Sequence, residues 1–171
     1  MAAATTAYTK IDSPLGPVLI VGTERGLTHI SFQKCTQPLA IDPAWQEGAP
    51  FLEEAARQLT EYFAGKRRTF KLRLDPAGTD FQQKVWAALC EVPYGKTATY
   101  GEIAKVIGAP TASRAVGAAN GANPLPIVVP CHRVIGSTGA LTGYAGGLEF
   151  KRGLLEIEGW HFGSEQLRLV G

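Results

Sequence analysis

Asn123-Pro124-Leu125-Pro126-Ile127-Val128-Val129-Pro130-Cys131-His132-Arg133-Val134 places a cysteine next to a histidine in a segment bracketed by prolines. A thiol attacks only as its thiolate, so near neutral pH it needs a neighbouring base or positive charge. Prolines stiffen the approach so that the sulfur is held in one place. Without its neighbours, an apolar run ending in cysteine reads more readily as buried core than as a nucleophile. The surrounding sequence has to decide between the two.

Immediately upstream, Gly121 and Asn123-Pro124 break a short helical pattern, Arg114-Ala115-Val116-Gly117-Ala118-Ala119-Asn120, which Thr111 or Ser113 can cap. Before it, Thr99-Tyr100-Gly101-Glu102 is a capping box. It opens a helix with Tyr100, Ile103, Ala104 and Ile107 on one side and Gly108 at its end. Two short helices joined by a Gly/Pro turn form the pattern of a helix-turn-helix, although many helical hairpins bind nothing. Ala115, Gly117, Ala118 and Gly121 give the second helix a small-residue face, with Arg114 near its start. Small residues sacrifice packing and helix propensity, so they fit a helix that comes close to another surface, either a DNA groove or a neighbouring helix. The first amides of that helix, with the Thr111 and Ser113 hydroxyls, can also hold a phosphate.

Further out, Thr79-Asp80-Phe81-Gln82 is another capping box. Phe81, Val85, Ala88 and Leu89 carry its helix to Pro93 and Gly95, and Cys90 at the end reads as a small core residue. Asp75-Pro76-Ala77-Gly78 separates this helical series from an alternating one, which predicts a domain junction with residues 1–77 on one side and 78–171 on the other. In the first part the turn-formers Ser13-Pro14-Leu15-Gly16-Pro17 and Gly22 to Gly26 separate strands that include Val18 to Val21 and Leu27 to Phe32. A helix follows from about Phe51 to Ala64, with Leu52, Ala55, Ala56, Leu59 and Phe63 at helical spacing. Phe70 to Leu74 alternates and predicts one more strand.

With 45% hydrophobic and 19% charged residues in a 171-residue chain, the composition is that of an ordinary globular protein and argues against disorder. The first residues lack a basic and apolar leader, and no run is long enough to span a membrane, so the expected location is cytoplasmic. Cys35, Cys90 and Cys131 are widely spaced and odd in number, which fits free thiols in a reducing compartment better than disulfides or a metal knuckle. The net charge of +2 is shared evenly by the two halves, so any nucleic-acid site must be local.

Phe81-Gln82-Gln83-Lys84-Val85-Trp86, Tyr100-Gly101-Glu102-Ile103-Ala104, Ser113-Arg114-Ala115-Val116-Gly117, the Asn123 to Gly136 segment with its Pro-Cys-His-Arg, and Gly143-Tyr144-Ala145-Gly146-Gly147 together resemble, in order and spacing, the O6-alkylguanine-DNA alkyltransferases. The resemblance covers residues 79 to 160; Asp12 to Gly16 and Tyr62 to Gly65 extend it more loosely into the first half. It implies an α/β two-domain protein. The N-terminal part would be a small antiparallel sheet plus helix, ribonuclease-H-like, and the C-terminal part a mostly helical, winged-helix-like domain with a helix-turn-helix.

The activity implied is DNA repair. O6-alkylguanine, mainly O6-methylguanine with O4-methylthymine as a second candidate, is flipped out of duplex DNA and its alkyl group passes irreversibly to Cys131. A soft, strong nucleophile suits that carbon, and the thioether product is not cleaved by water, so each protein molecule acts once and needs no cofactor. By resemblance His132 is the base, Glu158 its partner and Asn123 a brace of the turn. A carboxylate near the C-terminal end of the helix Glu149 to Glu158 opposes the helix dipole, so it calls for a compensating partner such as the imidazole. Arg114 resembles the finger that fills the vacated stack, and Tyr100 the residue that displaces the 3′ phosphate. Thr111, Ser113, Ala115, Gly117 and Ala118 belong to the DNA-facing set. The carbonyls of Cys131 and Val134 and the amide of Ala145 would hold the guanine, with Gly143, Gly146 and Gly147 allowing its close approach, Tyr144 as a pocket wall and Pro126 also in the substrate-binding set. Ala145 stands where many relatives carry serine, which keeps the backbone donor and loses a side chain.

Some relatives bind zinc in the N-terminal part; Thr23 and Thr28 stand at the corresponding positions here, so no metal is expected. The expected partner is double-stranded DNA containing alkylated guanine, bound by a monomer, with cooperative binding along DNA left open. Two rival readings are a helix-turn-helix protein that senses lesions or regulates without transfer, and a Cys-His-Glu thiol hydrolase. The first leaves Pro-Cys-His-Arg unexplained, and the second needs an oxyanion hole that the sequence does not supply.

Overall fold

The computed structural model describes residues 4–142, 144, 147–160 and 169–170, in two compact units, Met1–Ala77 and Gly78–Gly171. In the first unit, β1 (Ala7–Ile11), β2 (Val18–Thr23) and β3 (Gly26–Phe32) form an antiparallel meander. β2 is central and buried along its whole length. The first connection turns on Gly16, whose φ of +93° suits glycine and whose N–H donates to the Ser13 carbonyl at 3.0 Å. α1 (Pro50–Phe63) packs on β1 and β2 and buries Leu52, Ala55, Gln58, Leu59, Tyr62 and Phe63.

This sheet departs from the sequence reading in two places. It is mixed rather than purely antiparallel: β4 (Gln46–Glu47) adds to β1 in parallel, giving the order β3-β2-β1-β4. The chain leaving β3 runs back past the far edge and returns in the direction of β1, so Gln46 N–H donates to Thr6 O and Gly48 N–H to Tyr8 O. The strand expected over Phe70 to Leu74 is reduced to a single bridge between Leu27 and Leu74. A side chain has taken the place of a neighbouring strand there. Gln58 of α1 accepts from the Lys71 N–H at 2.9 Å and donates to the Lys71 carbonyl at 3.2 Å, so the alternating pattern is satisfied in extended backbone outside the sheet.

In the second unit, α2 (Asp80–Cys90) opens with both halves of the Thr79/Gln82 capping box and buries Val85, Trp86, Ala88 and Leu89. Those four positions fill its inner face, so Cys90 is exposed rather than the core residue that the sequence suggested. β5 (Ala98–Thr99) leads into α3 (Tyr100–Val106), capped by Thr99 and Glu102. α4 (Ser113–Gly121) follows. Neither Thr111 nor Ser113 caps it: the N-cap is Ala112 without a side-chain bond, because the helix starts at Ser113 itself.

Val116, Ala119 and Asn120 are the buried face of α4, and the Trp86 indole donates to the Ala119 carbonyl at 2.9 Å, tying α4 to α2. A single 3-10 turn (Cys131–Arg133) runs into β6 (Val134–Ile135), which pairs in parallel with β5. β7 (Leu141–Thr142) pairs with β8 (Leu169–Val170), and α5 (Leu148–Ile157) buries Phe150, Lys151, Leu154 and Leu155. Among the described residues no helix is long and apolar enough to cross a membrane.

Candidate active site

The stretch from Asn123 to Cys131 is folded into successive tight turns. The Asn123 amide clamps it from within: Oδ1 accepts from the Leu125 N–H at 2.9 Å and Nδ2 donates to the Val129 carbonyl at 2.8 Å. Val128 N–H bonds back to Pro126 O across Ile127, and Cys131 N–H bonds back to Val129 O across Pro130, two γ-turns in six residues. Pro130 adopts the favourable form, with φ −80° and ψ 65°, but Ile127 has φ +77°. A β-branched residue there costs about 1–3 kcal/mol of backbone strain. Complete burial of the Ile127 side chain, together with the prolines on either side, over-determines the conformation.

These turns deliver Cys131 to the first position of the 3-10 turn, buried, with the polar side chains of Asn123 and Tyr144 near its sulfur. Burial pushes the thiol up, while the neighbouring Asn123 and Tyr144 side chains and the charge of Lys151 pull it back toward ionisation. His132 is fully buried, with Nε2 2.6 Å from Glu158 Oε2. An ionised carboxylate can only accept, so Nε2 carries the hydrogen and donates. Burial also holds the imidazole below its ordinary range, with Arg133 and Lys151 adding to the effect and Glu158 opposing it. A neutral ring protonated at Nε2 leaves the lone pair on Nδ1, which has no hydrogen-bond partner among the described residues. That atom is the one free to take a proton.

Glu158 is the C-cap residue of α5, one past its last turn, and it receives donors from two other elements. Arg133 Nε reaches Oε1 at 2.8 Å and Arg133 Nη2 reaches Oε2 at 3.0 Å, while Gly95 N–H donates to Oε1 at 3.2 Å. The partner expected for this carboxylate is present, and a second one, Arg133, accompanies it.

α4 faces the same turn from the other side. Asn120 Nδ2 donates to the Cys131 carbonyl at 3.4 Å. Arg114, Ala115 and Ala118 are exposed, as is Thr111 ahead of the helix; Ser113 and Gly117 are half-buried. A Cβ on Gly117 would lie 3.8 Å from the half-buried Tyr100 ring, an ordinary contact, so the ring lies close to α4 at this position without requiring glycine. Val134 is buried in β6 beside Ala98, and Pro126 and Tyr144 are half-buried. Ala145 and Gly146, with Gly143, lie outside the described residues. At the positions considered for metal, Thr23 accepts from Arg25 N–H and Thr28 donates to the Val21 carbonyl. Among the described residues no cluster of three His, Cys, Asp or Glu could hold an ion.

Three buried polar residues of the site escaped the sequence reading: Arg133, Lys151 and Asn120. Lys151 left a signal. It shares helical spacing with Leu154, Leu155 and Glu158, which is unusual for a charge meant for solvent.

A buried thiol beside an oriented imidazole, on a helical unit with an exposed small-residue face, defines a thiol-nucleophile site built onto a helix pair. Two family models match the chain: 6-O-methylguanine DNA methyltransferase, ribonuclease-like domain, over residues 6–76, and 6-O-methylguanine DNA methyltransferase, DNA binding domain, over residues 80–160. The methylated-DNA--protein-cysteine methyltransferase of Methanosarcina barkeri is 56% identical over 151 residues, 88% of this chain and 96% of that protein. The crystal structure of Mycobacterium tuberculosis O6-methylguanine methyltransferase superposes with a TM-score of 0.80 at 49% identity, covering 90% of this chain and 93% of that one. The Mycobacterium tuberculosis OGT in complex with DNA gives 0.81 at 51% identity, over 89% and 92%. The chain belongs to the 6-O-methylguanine DNA methyltransferase family.

Proposed function

We propose that this protein repairs DNA by direct reversal, moving the alkyl group of O6-alkylguanine onto Cys131 once per molecule. The observation that carries this reading is the pairing of a buried thiol with an imidazole whose Nε2 is fixed by Glu158 and whose Nδ1 has no partner among the described residues. His132 takes the thiol proton, directly or through a water. The sulfur lone pair forms the S–C bond to the alkyl carbon as the C–O6 bond breaks, and the electron pair stays on guanine. The proton held by His132 balances that charge and leaves ordinary guanine and a neutral thioether. No cofactor enters this balance, and the thioether has no route back to thiol, so the protein is consumed.

Duplex DNA carrying alkylated guanine is the partner, bound by a monomer in the cytosolic compartment, with O4-methylthymine as a second substrate. Residues 1–77 are the ribonuclease-H-like brace, and residues 78–171 the winged-helix-like unit that binds DNA and carries the transfer. In that unit α3 and α4 act as the helix-turn-helix. The exposed face of Ala115 and Ala118, with Gly117, lets α4 approach the minor groove, where Arg114 fills the place of the extruded base and Tyr100 turns its phosphate. Thr111 and Ser113 contact the backbone. Val134, Ala145, Gly146, Tyr144 and Pro126 line the guanine pocket, and Asn123 holds the turn that presents the sulfur.

The test is to incubate the protein with a duplex containing one O6-methylguanine and to weigh the intact chain and its peptides. One methyl group on the Cys131 peptide per lesion repaired is the expected result. Repair beyond one equivalent would identify a turnover enzyme, and DNA binding with Cys131 unmodified would identify a lesion-sensing protein.

A further inference from the structure

Arg133 is the residue of the Pro-Cys-His-Arg motif to which the transfer reaction itself assigns nothing, yet it is among the most heavily bonded side chains of the site. It is 6% exposed; its Nε and Nη2 form a fork on both oxygens of Glu158, its Nη1 donates to the Val92 carbonyl at 2.7 Å, and its guanidinium carbon lies 5.7 Å from the centre of the Tyr94 ring. We infer that Arg133 is a positioning residue for transfer: its fork fixes the plane of the Glu158 carboxylate so that His132 is held with Nδ1 toward the reaction, and its charge keeps that ring a neutral base. This inference rests on the reading of Cys131 as the acceptor.

The geometry supports it in two ways. A carboxylate on a flexible stem swings about its side-chain torsions, and a planar two-point contact with guanidinium removes that freedom, which a single ammonium contact does not. With the fork in place, Oε1 accepts from Arg133 Nε and Gly95 N–H, and Oε2 from Arg133 Nη2 and His132 Nε2. Each oxygen then has both of its acceptor directions in use, so the proton taken from the thiol stops on the imidazole instead of passing to Glu158.

Charge gives the second argument. The groups facing His132 are Glu158 and Lys151 from α5, Arg133 and Cys131 from its own turn, and, through the carboxylate, the Gly95 amide from the segment after α2. Arg133 balances Glu158, so a second cation at His132 would be uncompensated in a buried site. Burial, Arg133 and Lys151 disfavour the imidazolium, and among the described residues Glu158 is what favours it.

The test uses the full chain with Arg133→Met and Arg133→Lys. The His132 midpoint is followed by NMR of the labelled imidazole, and the single-turnover transfer rate from an O6-methylguanine duplex is followed between pH 5 and 9. Arg133→Met should raise the His132 midpoint by about one pH unit or more, and the acid limb of the rate should move with it. Arg133→Lys keeps the charge and loses the fork, so its midpoint should stay in place while the plateau rate falls about tenfold or more. A folded Arg133→Met with midpoint and acid limb unmoved would overturn the inference, as would an Arg133→Lys plateau equal to that of the parent. If Arg133→Met does not fold, the Arg133→Lys plateau decides. A parent protein that leaves Cys131 unmethylated would sink the transfer reading separately. The NMR midpoint needs no lesion and still tests Arg133.

Discussion

Lys151→Met should make the protein more stable at neutral pH and slower at transfer. Lys151 is completely buried in α5, and burial lowers its pKa from 10.5 to about 8 despite the nearby Cys131 sulfur, which favours the ammonium. At about 1.4 kcal/mol per pH unit, that drop opposes folding by about 3 kcal/mol at pH 7. The sign follows from proton counts. Between pH 8 and 10.5 the unfolded chain still holds the lysine proton and the folded chain has released it, so the parent gains stability as pH rises through that window. Methionine has similar reach and no charge, so the variant should be more stable by up to about 3 kcal/mol at pH 7, an advantage that shrinks as pH rises from 8 to 10.5. Urea unfolding of both proteins at pH 7, 9 and 10.5 measures the gap, and any hydrogen bond lost with the ammonium shifts all three values together. A gap that stays constant or widens with pH refutes the reasoning. The cost of the substitution should appear in the transfer rate, because Lys151 is one of the groups that pull the Cys131 thiol toward ionisation.

Other substitutions test separate parts of the site. Glu158→Gln leaves the Arg133 guanidinium buried without its anion, so urea unfolding should show a loss of about 3–5 kcal/mol, and transfer should stop; a loss under about 1 kcal/mol would mean that the cluster is solvated. Ile127→Gly gives up a buried side chain but releases the strain at φ +77°, whereas Ile127→Ala gives up most of the burial and keeps the strain. The glycine variant should therefore melt at or above the alanine variant, the reverse of their usual order. His132 is held below its ordinary pKa, so its contribution is present above about pH 6.5 and lost as pH falls through the folded value. His132→Gln should flatten that acid limb of the stability profile, and an unchanged slope would contradict the buried neutral ring.

Local signals were the most legible ones in the sequence. The Thr79/Gln82 and Thr99/Glu102 capping boxes form as read because every atom of the motif lies within four residues. α1 starts and stops within a residue of its expected ends because Pro50 and Gly65 punctuate it. The failures were non-local. β1 went unnamed because its partners β2 and β4 make it a strand more than its own alternation does, and Gln58 removed Phe70 to Leu74 from the sheet from across a helix. Cys131, His132 and Glu158 were legible through motif and resemblance. Arg133 was not, since a cation in sequence reads as a solvated one until its burial and its partner, 25 positions away, are seen, while Lys151 left only its place on the apolar spacing of α5.

That separation has a bearing on how the protein is made. The anion that orients His132 lies 26 positions downstream, past the end of α5. A chain emerging from the ribosome therefore exposes its cysteine well before it can fix the base. Until α5 docks, the sulfur is an ordinary thiol with an untethered imidazole beside it. Nascent or truncated chains would thus resist being spent on stray alkylating agents, and in the proposed reaction the appearance of reactivity at Cys131 would itself report that folding of this unit is finished.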